Sequence, residues 1–555
     1  MAARDELVFL PLGGVGEIGM NLGLYGLGPA HDRTWLMVDL GVTFGDQTTP
    51  GVDLIYPDIR FIEEECDNLA GIVITHAHED HYGAVLDLWP RLRVPIYATA
   101  FTAGLLEAKA IENRGSEPVP VTPIEQGGRV QIGPFDVELV PMSHSIPEPN
   151  ALVIRTAHGT IVHSGDWKID MTPGIGLPID VARLQAVGEE GVRALICDST
   201  NAVREGRSPS EADVAARLAE IVKQAPNRVA VTTFASNVAR LRAVALAAQA
   251  AGRDVVVIGR AMKRVIEVAR ELGYLDGLPK FLDEEAYGYL PREKVVALLT
   301  GSQGEPRAAL ARIAADDHPR VALSPGDLVI FSSRTIPGNE SSVISVVNAL
   351  AERGIEILTD RDDLVHVSGH PRRDELADLY RWLKPQVLVP VHGEPYHLAQ
   401  HARFAKAQGI PEVVKGRNGD VFRLAPGPAE IIDEAPVGVL YKDGNLITEP
   451  AMSGTQERRK LSFAGCVVGH VVLDDRGDLA VDPTVTLFGL PTVDAEGDTF
   501  VELLQDAAIE ALDGIPRPRR RDRELVAKAV RRALRSLTAQ RWGKKPLCRV
   551  DVTVL

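Results

Sequence analysis

Cysteine is scarce. The 555 residues hold four, Cys66, Cys197, Cys466 and Cys548, far apart and with no CxxC pair. That spacing argues against a disulfide framework and against a cysteine-bound zinc site. Each cysteine reads as a small buried hydrophobe, and free thiols fit a reducing cytoplasm. No stretch approaches ~18 uninterrupted apolar residues, so no membrane span is expected. The opening, Met1-Ala2-Ala3-Arg4-Asp5-Glu6, lacks the basic-then-apolar pattern of a secretory signal. Positive charge is in deficit too: 60 Lys and Arg face 76 Asp and Glu, a formal charge of −16. Such a chain is not built to coat nucleic acid non-specifically. A local basic groove or bound metal ions can still attract phosphates.

What is present suits a large folded core. Apolar residues make up 45% and charged residues 25%, and 50 glycines supply tight turns. The length implies two to four domains. Over the first two hundred residues, short strands are expected at 7–12, 34–39, 71–75, 137–140, 151–156 and 160–164. Helices are expected at 83–89, limited by Pro90, and at 101–112. The hairpin-like spacing predicts a mixed sandwich rather than a doubly wound parallel sheet. From 208 the pattern changes. Ser210 caps a helix at 211–224. Strands then alternate with helices at 228–233, 237–251, 254–258, 261–272, 295–300, 327–332 and 340–353, as in a mostly parallel α/β unit. After 425, proline, glycine and polar residues read as a linker to 460. A terminal segment follows, with strands at 466–473, 484–488 and 549–555 and helices at 499–512 and 523–539. No internal repeat is evident.

An apolar strand delivers His76-Ala77-His78-Glu79-Asp80-His81 into a turn. Histidine nitrogens with a carboxylate are a ligand set for zinc and for manganese. His76 and His78 can face one ion, and Asp80 and His81 a second. Three more candidates sit at other strand ends: His144, Asp166 and His392. A carboxylate at 166 can bridge two ions spaced as two-metal sites require. Four strand ends converging on one polar cluster outweigh the reading of each histidine alone as a packing residue. His163 is placed near the cluster, outside the ligands. His31, His158, His318, His397, His401 and His470 lack this context and read as surface or packing residues.

One motif points elsewhere. Gly14-Val15-Gly16-Glu17-Ile18-Gly19 matches the dinucleotide-binding GxGxxG, with Asp39 twenty residues beyond Gly19. The helix that must follow is missing, since residues 20–28 read as a second strand and hairpin. Asp39 is better read as a group that orients a metal ligand.

Asp39, the His76–His81 cluster, His144 and Asp166, in that order, resemble the metallo-β-lactamase superfamily. The α/β insert, with Asp198, His370 and His392, resembles its β-CASP subgroup of nucleic-acid hydrolases. Within it the chain is similar to the bacterial ribonuclease J family along nearly its whole length. Phe234-Ala235-Ser236-Asn237, Thr300-Gly301-Ser302-Gln303-Gly304-Glu305, Ile336-Pro337-Gly338-Asn339-Glu340 and Pro390-Val391-His392-Gly393-Glu394-Pro395-Tyr396-His397 carry that likeness. Pro371 departs from the alanine commoner in the family after its histidine.

The resemblance implies an α/β fold: a metallo-β-lactamase αββα sandwich at 1–207 and 361–425, with a β-CASP domain inserted at 208–360. A linker at 426–460 and a small C-terminal α+β domain at 461–555 complete it. It implies that His76, His78 and His144 bind one zinc or manganese ion, Asp80, His81 and His392 the other, and that Asp166 bridges them. It gives catalytic roles to Asp80, His370 and Asp198, the last two at the leaving 3′-oxygen. A pocket for a 5′ monophosphate falls on His366, Val367, Ser368, Gly369 and His370, with Ser333 and Arg334. A structural calcium falls near Asp53 and Asp443. The implied activity is 5′-to-3′ exonuclease and endonuclease cleavage of single-stranded RNA in RNA maturation and decay. Dimer or tetramer assembly is implied through the C-terminal domain. Arg517-Pro518-Arg519-Arg520-Arg521 looks like an RNA-binding patch, with a solvated charged loop as the default reading.

Three other readings remain at this point. A DNA-processing or 3′-end-processing β-CASP nuclease would prefer DNA in a matched assay. A small-molecule hydrolase conflicts with an insert that would roof its pocket. A binding module without metals conflicts with the complete ligand set.

Overall fold

Glycine turns and short apolar runs fold into hairpins as their spacing predicts. In the computed structural model, Glu6–Gly13 pairs antiparallel with Leu22–Gly28, and that strand with Thr34–Val38. The structure describes residues 5–113, 117–336 and 338–555. Residues 1–4 and Pro337 of the 336–340 segment lie outside the described residues. Leu69–Val73, Ile96–Ala98 and Val121–Pro123 extend the sheet in parallel on one side. Asp420–Ala425 and Glu430–Glu434 extend it on the other, making eight strands. Helices Val85–Leu92 and Ala100–Glu112 are the crossovers between the parallel strands.

A second, seven-stranded sheet runs from Glu412–Val413 through Val387–Val391, Ala194–Asp198, Gly159–His163, Asn150–Thr156 and Phe135–Pro141 to Arg129–Ile132. Leu7, Phe9, Tyr25, Leu36 and Val38 of the first sheet meet Val137, Leu139, Ile154, Ile196 and Val389 of the second in one buried core. The second sheet's outer residues, such as Val153 and Leu195, pack with Leu184, Leu376, Leu379 and Ala405 from helices Val181–Glu190, Arg373–Leu383 and Pro395–Ala407. This is the expected αββα sandwich.

The chain leaves the second sheet at Asp198 and returns at Val387, on the neighbouring parallel strand. Between the two lies a six-stranded, all-parallel sheet ordered Leu282–Asp283, Asp254–Ile258, Val295–Leu299, Val229–Thr232, Leu328–Phe331, Glu356–Leu358. Ser210 starts its first helix, Glu211–Gln224, with a capping box completed by Asp213. Asn237 caps the next, Val238–Ala250.

The chain divides into two units, one taking it up to Thr43 together with Tyr56–Gly438, the other Phe44–Ile55 with Val439–Leu555. In the second unit, Leu479–Phe488, Cys466–Leu473 and Leu547–Val554 form a three-stranded sheet. Phe500, Leu504, Val526, Val530 and Leu534, from helices Phe500–Asp513 and Arg523–Trp542, share a core with the sheet's Val467 and Val471.

The structure departs from the sequence reading in three places. Residues 426–460 carry regular structure: Glu430–Glu434 pairs with Asp420–Ala425, Val439–Asp443 with Leu446–Thr448, and helix Thr455–Ala464 begins there. Glu430–Glu434 and Leu446–Thr448 are short and largely exposed, so no apolar alternation marks them. Residues 44–55 join the C-terminal unit through backbone pairing, such as Asp53 N–H to Lys442 O at 2.8 Å, which leaves no side-chain signature. Helix Val85–Leu92 runs through Pro90. Proline forfeits its own N–H bond there, and Arg93 N–H to Trp89 O at 2.8 Å closes the last turn. Among the described residues, no helix is long and apolar enough to cross a membrane.

Candidate metal centre

Every candidate ligand sits just past the C-terminal end of a strand. Thr34–Val38 leads to Asp39, Leu69–Val73 to the His76–His81 cluster, Phe135–Pro141 to His144, Gly159–His163 to Asp166, and Val387–Val391 to His392. A helical turn, Glu79–Tyr82, carries Asp80 and His81. Two of these positions hold non-glycine residues at positive φ, Asp39 at 64° and His392 at 50°. Hydrogen bonds over-determine both: Asp39 N–H to Val73 O at 2.9 Å and His392 N–H to Gly14 O at 2.6 Å.

The side chains converge on one oxygen. Asp166 Oδ2 lies 3.9 Å from His76 Nε2, 3.8 Å from His144 Nε2, 3.3 Å from His81 Nε2 and 3.5 Å from His392 Nε2. His78 Nδ1 is 3.0 Å from the facing nitrogens of both His76 and His144. Asp80 Oδ2 is 3.7 Å from His81 Nε2 and 3.9 Å from His392 Nε2. Two sets of donor atoms result, each within 4.8 Å: His76, His78, His144, Asp166 and Asp80, His81, Asp166, His392. Both contain Asp166.

Outer hydrogen bonds decide which nitrogen of each ring faces inward. His81 Nδ1–H donates to Asp39 Oδ2 at 2.7 Å, and His144 Nδ1–H to Gly369 O at 2.6 Å. Thr75 Oγ1 donates to Asp39 Oδ2 at 2.9 Å, which leaves it to accept from His76 Nδ1 at 3.0 Å. His392 Nδ1 donates to Asn21 Oδ1 at 2.9 Å. Four imidazoles are thereby fixed with the Nε2 lone pair pointing at the centre. Asn21 Nδ2 also donates to Asp80 O at 3.0 Å and lies 3.1 Å from His81 Nε2.

This donor set fits divalent cations. Imidazole lone pairs crowd together at hydrogen-bond distance, and Asp166 Oδ1 is buried with no hydrogen-bond partner among the described residues. Burial, with neighbouring histidines, pushes His76 and His144 well below the usual imidazole range and His78 to about 4. Neutral imidazoles are the form that binds a metal. Burial opposes charge on His81 as well, but Asp166, Asp80 and Asp39 outweigh it and raise that ring.

Beside the ligands, His370 Nδ1 lies 2.7 Å from Asp198 Oδ2 and 3.9 Å from Asp166 Oδ2. Burial opposes protonation, yet Asp198 and Asp166 lift His370 to about 9. Asn201 Nδ2 donates to Ser368 Oγ at 2.9 Å and to His370 O at 3.1 Å, pinning the 366–370 loop. Val367 is buried. Ser333 Oγ and His366 Nδ1 are buried and lack partners among the described residues. Arg334, the residue after Ser333, is half-buried, and its backbone carbonyl accepts from Gln303 Nε2 at 2.9 Å.

Gly369 admits no side chain: a Cβ there would lie 2.3 Å from His144 Nδ1 and Cε1. Gly369→Ala is expected to displace His144 and weaken metal binding about 10–100-fold, as loss of an orienting partner does. Competition with a graded chelator series measures this. Unchanged affinity would show that His144 tolerates the shift.

The glycine-rich loop proves to be a brace. Strand Leu22–Gly28 follows it where a dinucleotide fold needs a helix. Gly16 N–H donates to Gly393 O at 3.0 Å, and Glu17 is held by Asn418 Nδ2 at 2.8 Å. Asn21 and Thr75, unmarked in the sequence, are the orienting residues it conceals. His163 lies behind the ligands, its Nδ1 2.8 Å from Tyr25 Oη, and burial lowers it to about 4.

Two peripheral expectations meet different surroundings. Asp443 is paired with Arg458, and Asp53 Oδ2 accepts Gly444 N–H at 2.9 Å. Neither belongs to a cluster of three metal-ligating groups among the described residues. In the 517–521 run, expected as a solvated loop, Arg520 is buried and donates to Ile515 O at 2.8 Å. Arg517 pairs with Asp478 at 3.2 Å.

Four family models match the chain. They are a beta-lactamase superfamily domain over 34–190, a ribonuclease J beta-CASP domain over 226–350, a Zn-dependent metallo-hydrolase RNA specificity domain over 354–414 and a ribonuclease J C-terminal domain over 455–553. Sandwich, insert and clustered ligands together define a metal-dependent hydrolase of the metallo-β-lactamase class with a β-CASP insert. The chain is 58% identical to ribonuclease J of Sinorhizobium meliloti over 100% of its own length and 98% of that protein. It is 36% identical to ribonuclease J of Thermus thermophilus, over 98% of this chain and 94% of that one. It belongs to the ribonuclease J family and is a metal-dependent ribonuclease of RNA processing. A crystal structure of a protein of unknown function from Enterococcus faecalis V583 shares the fold, with TM-score 0.52 and 17% identity over 77% of this chain and 100% of that one.

Proposed function

We propose that the chain hydrolyses RNA with two divalent cations, zinc or manganese, as a 5′-to-3′ exonuclease that also cuts internally. Its setting is the cytoplasm, in RNA maturation and decay. The observation that carries this reading is the pair of ligand sets sharing Asp166. In it, His76, His78 and His144 would hold one ion and Asp80, His81 and His392 the other. Bound there, the cations would supply Lewis-acid charge at the scissile phosphate.

The protein's own contribution is orientation and proton handling. Asp39, Thr75, Asn21 and Gly369 fix the ligand tautomers. Asp198 holds His370 by Nδ1, so Nε2 serves the departing 3′-oxygen as proton donor. A 5′ monophosphate is taken up by Ser333, Arg334 and the 366–370 loop, where buried hydrogen-bonding groups await a partner. The division of labour follows the chain: 1–207 and 361–425 hold the metals, 208–360 guides single-stranded RNA, and 461–555 joins copies into dimers or tetramers.

A time course on RNAs differing only at a 5′ monophosphate, triphosphate or hydroxyl, beside matched DNA, tests the reading. Fastest loss from the 5′ end of the monophosphate RNA is expected. Preferential cleavage of DNA would contradict it.

A further inference from the structure

A buried ionic network runs from the metal centre to the RNA-end loop. Lys168, two residues beyond Asp166, has no exposed side-chain surface, and its Nζ lies 2.9 Å from Asp170 Oδ2 and 3.6 Å from Glu211 Oε1. Glu211 Oε2 accepts from Arg240 Nη2 at 2.8 Å, and Arg240 is also wholly buried. Nη1 of Arg240 donates to Val365 O at 2.8 Å, to Ser332 Oγ, and to Ser332 O at 3.4 Å. Ser332 Oγ donates in turn to Val365 O at 2.7 Å. The same network reaches the His144 segment: Lys168 N–H donates to Ser143 O, and Ser143 Oγ to Asp170 O, both at 2.8 Å.

Charges sealed from water are costly, and a well-packed apolar cluster of the same volume is often as stable. What such a network can do is fix a geometry. Here the geometry is specific. Ser332 and Val365, both held by one guanidinium, directly precede Ser333 and His366. Those two residues carry the buried Oγ and Nδ1 that lack partners among the described residues. Arginine's planar fork binds Glu211 through Nη2 while Nη1 reaches Ser332 and Val365, a division of donors that a single ammonium nitrogen lacks.

We propose that Arg240, held by Glu211, whose other oxygen faces Lys168, is a positioning residue that sets Ser333 and His366 for a terminal RNA phosphate. It ties their placement to the loop bearing Asp166. The inference rests on the reading of this loop as the 5′-phosphate site.

The test compares wild type, Arg240→Lys and the double variant Glu211→Gln with Arg240→Met on 5′-monophosphate and 5′-hydroxyl RNAs. Melting temperature and bound metal are measured alongside. The double variant removes one acid and one base together, so it is expected to fold and to bind metal like wild type. The monophosphate-to-hydroxyl ratio of kcat/KM is expected to fall about tenfold or more, chiefly through KM, since each ~1.4 kcal/mol is tenfold. Arg240→Lys, which keeps the charge, should shift the ratio in the same direction, and it carries the test if the double variant is unstable. A folded variant that keeps the wild-type ratio overturns the inference. So does an equal loss on both RNAs, which would mark a merely structural role. If wild type itself does not distinguish the two RNAs, the 5′-phosphate reading falls, and the inference with it.

Discussion

Asp166→Ala is expected to cut RNA cleavage by at least about 10³-fold and to weaken metal binding in both halves of the centre, most in the half that contains His76, His78 and His144. Its Oδ2 lies within 3.3–3.9 Å of the inward nitrogens of His76, His144, His81 and His392. It is also the sole carboxylate in the set that contains His76, His78 and His144. Without it that half keeps three neutral imidazoles and no negative charge. The other half keeps Asp80, His81 and His392. Asp80→Ala should therefore abolish cleavage with a smaller loss of metal, because Asp166 and the His76 half remain. Metal analysis after gel filtration, beside a cleavage assay, reads both variants. Two equivalents of metal retained by Asp166→Ala, with cleavage within tenfold of wild type, would refute the bridging role.

His370→Ala should do the reverse: slow cleavage by about 10²–10⁴-fold, the usual worth of a positioned proton donor, while both ions stay bound. The geometry makes this a sharp comparison. His370 lies 3.9 Å from Asp166 Oδ2, and with Asp166, Asp198 and His392 it forms a third set of donor atoms within 4.8 Å. Its Nδ1, however, is taken by Asp198 at 2.7 Å. A proton-donating role leaves metal content unchanged. A ligand role lowers it by one ion, and that result would reassign the residue.

Much of the centre was legible because metal binding uses rare residues at strand ends. His76, His78, Asp80 and His81 lie within six positions, and His144, Asp166 and His392 each follow an apolar run. The capped helix at Ser210 and the alternating insert were legible for the same reason: caps and apolar periodicity are local. What escaped is non-local. Asn21 and Thr75 are ordinary polar residues until the fold sets them against His392 and His76. Residues 44–55 join the C-terminal unit through backbone pairing, and 430–434 forms an exposed edge strand without alternation. The glycine-rich loop misleads for the opposite reason, since glycines suited to a phosphate turn equally suit close packing against His392 and Gly393.

Metal titration of the stripped protein tests whether two ions act together at Asp166. Adding zinc or manganese stepwise to chelator-treated protein, with binding and cleavage of a 5′-monophosphate RNA followed together, is expected to show two equivalents bound per chain. Cleavage should rise only as the second is taken up. Full cleavage at one equivalent, or cleavage that survives complete removal of metal, would contradict a two-metal centre built around Asp166.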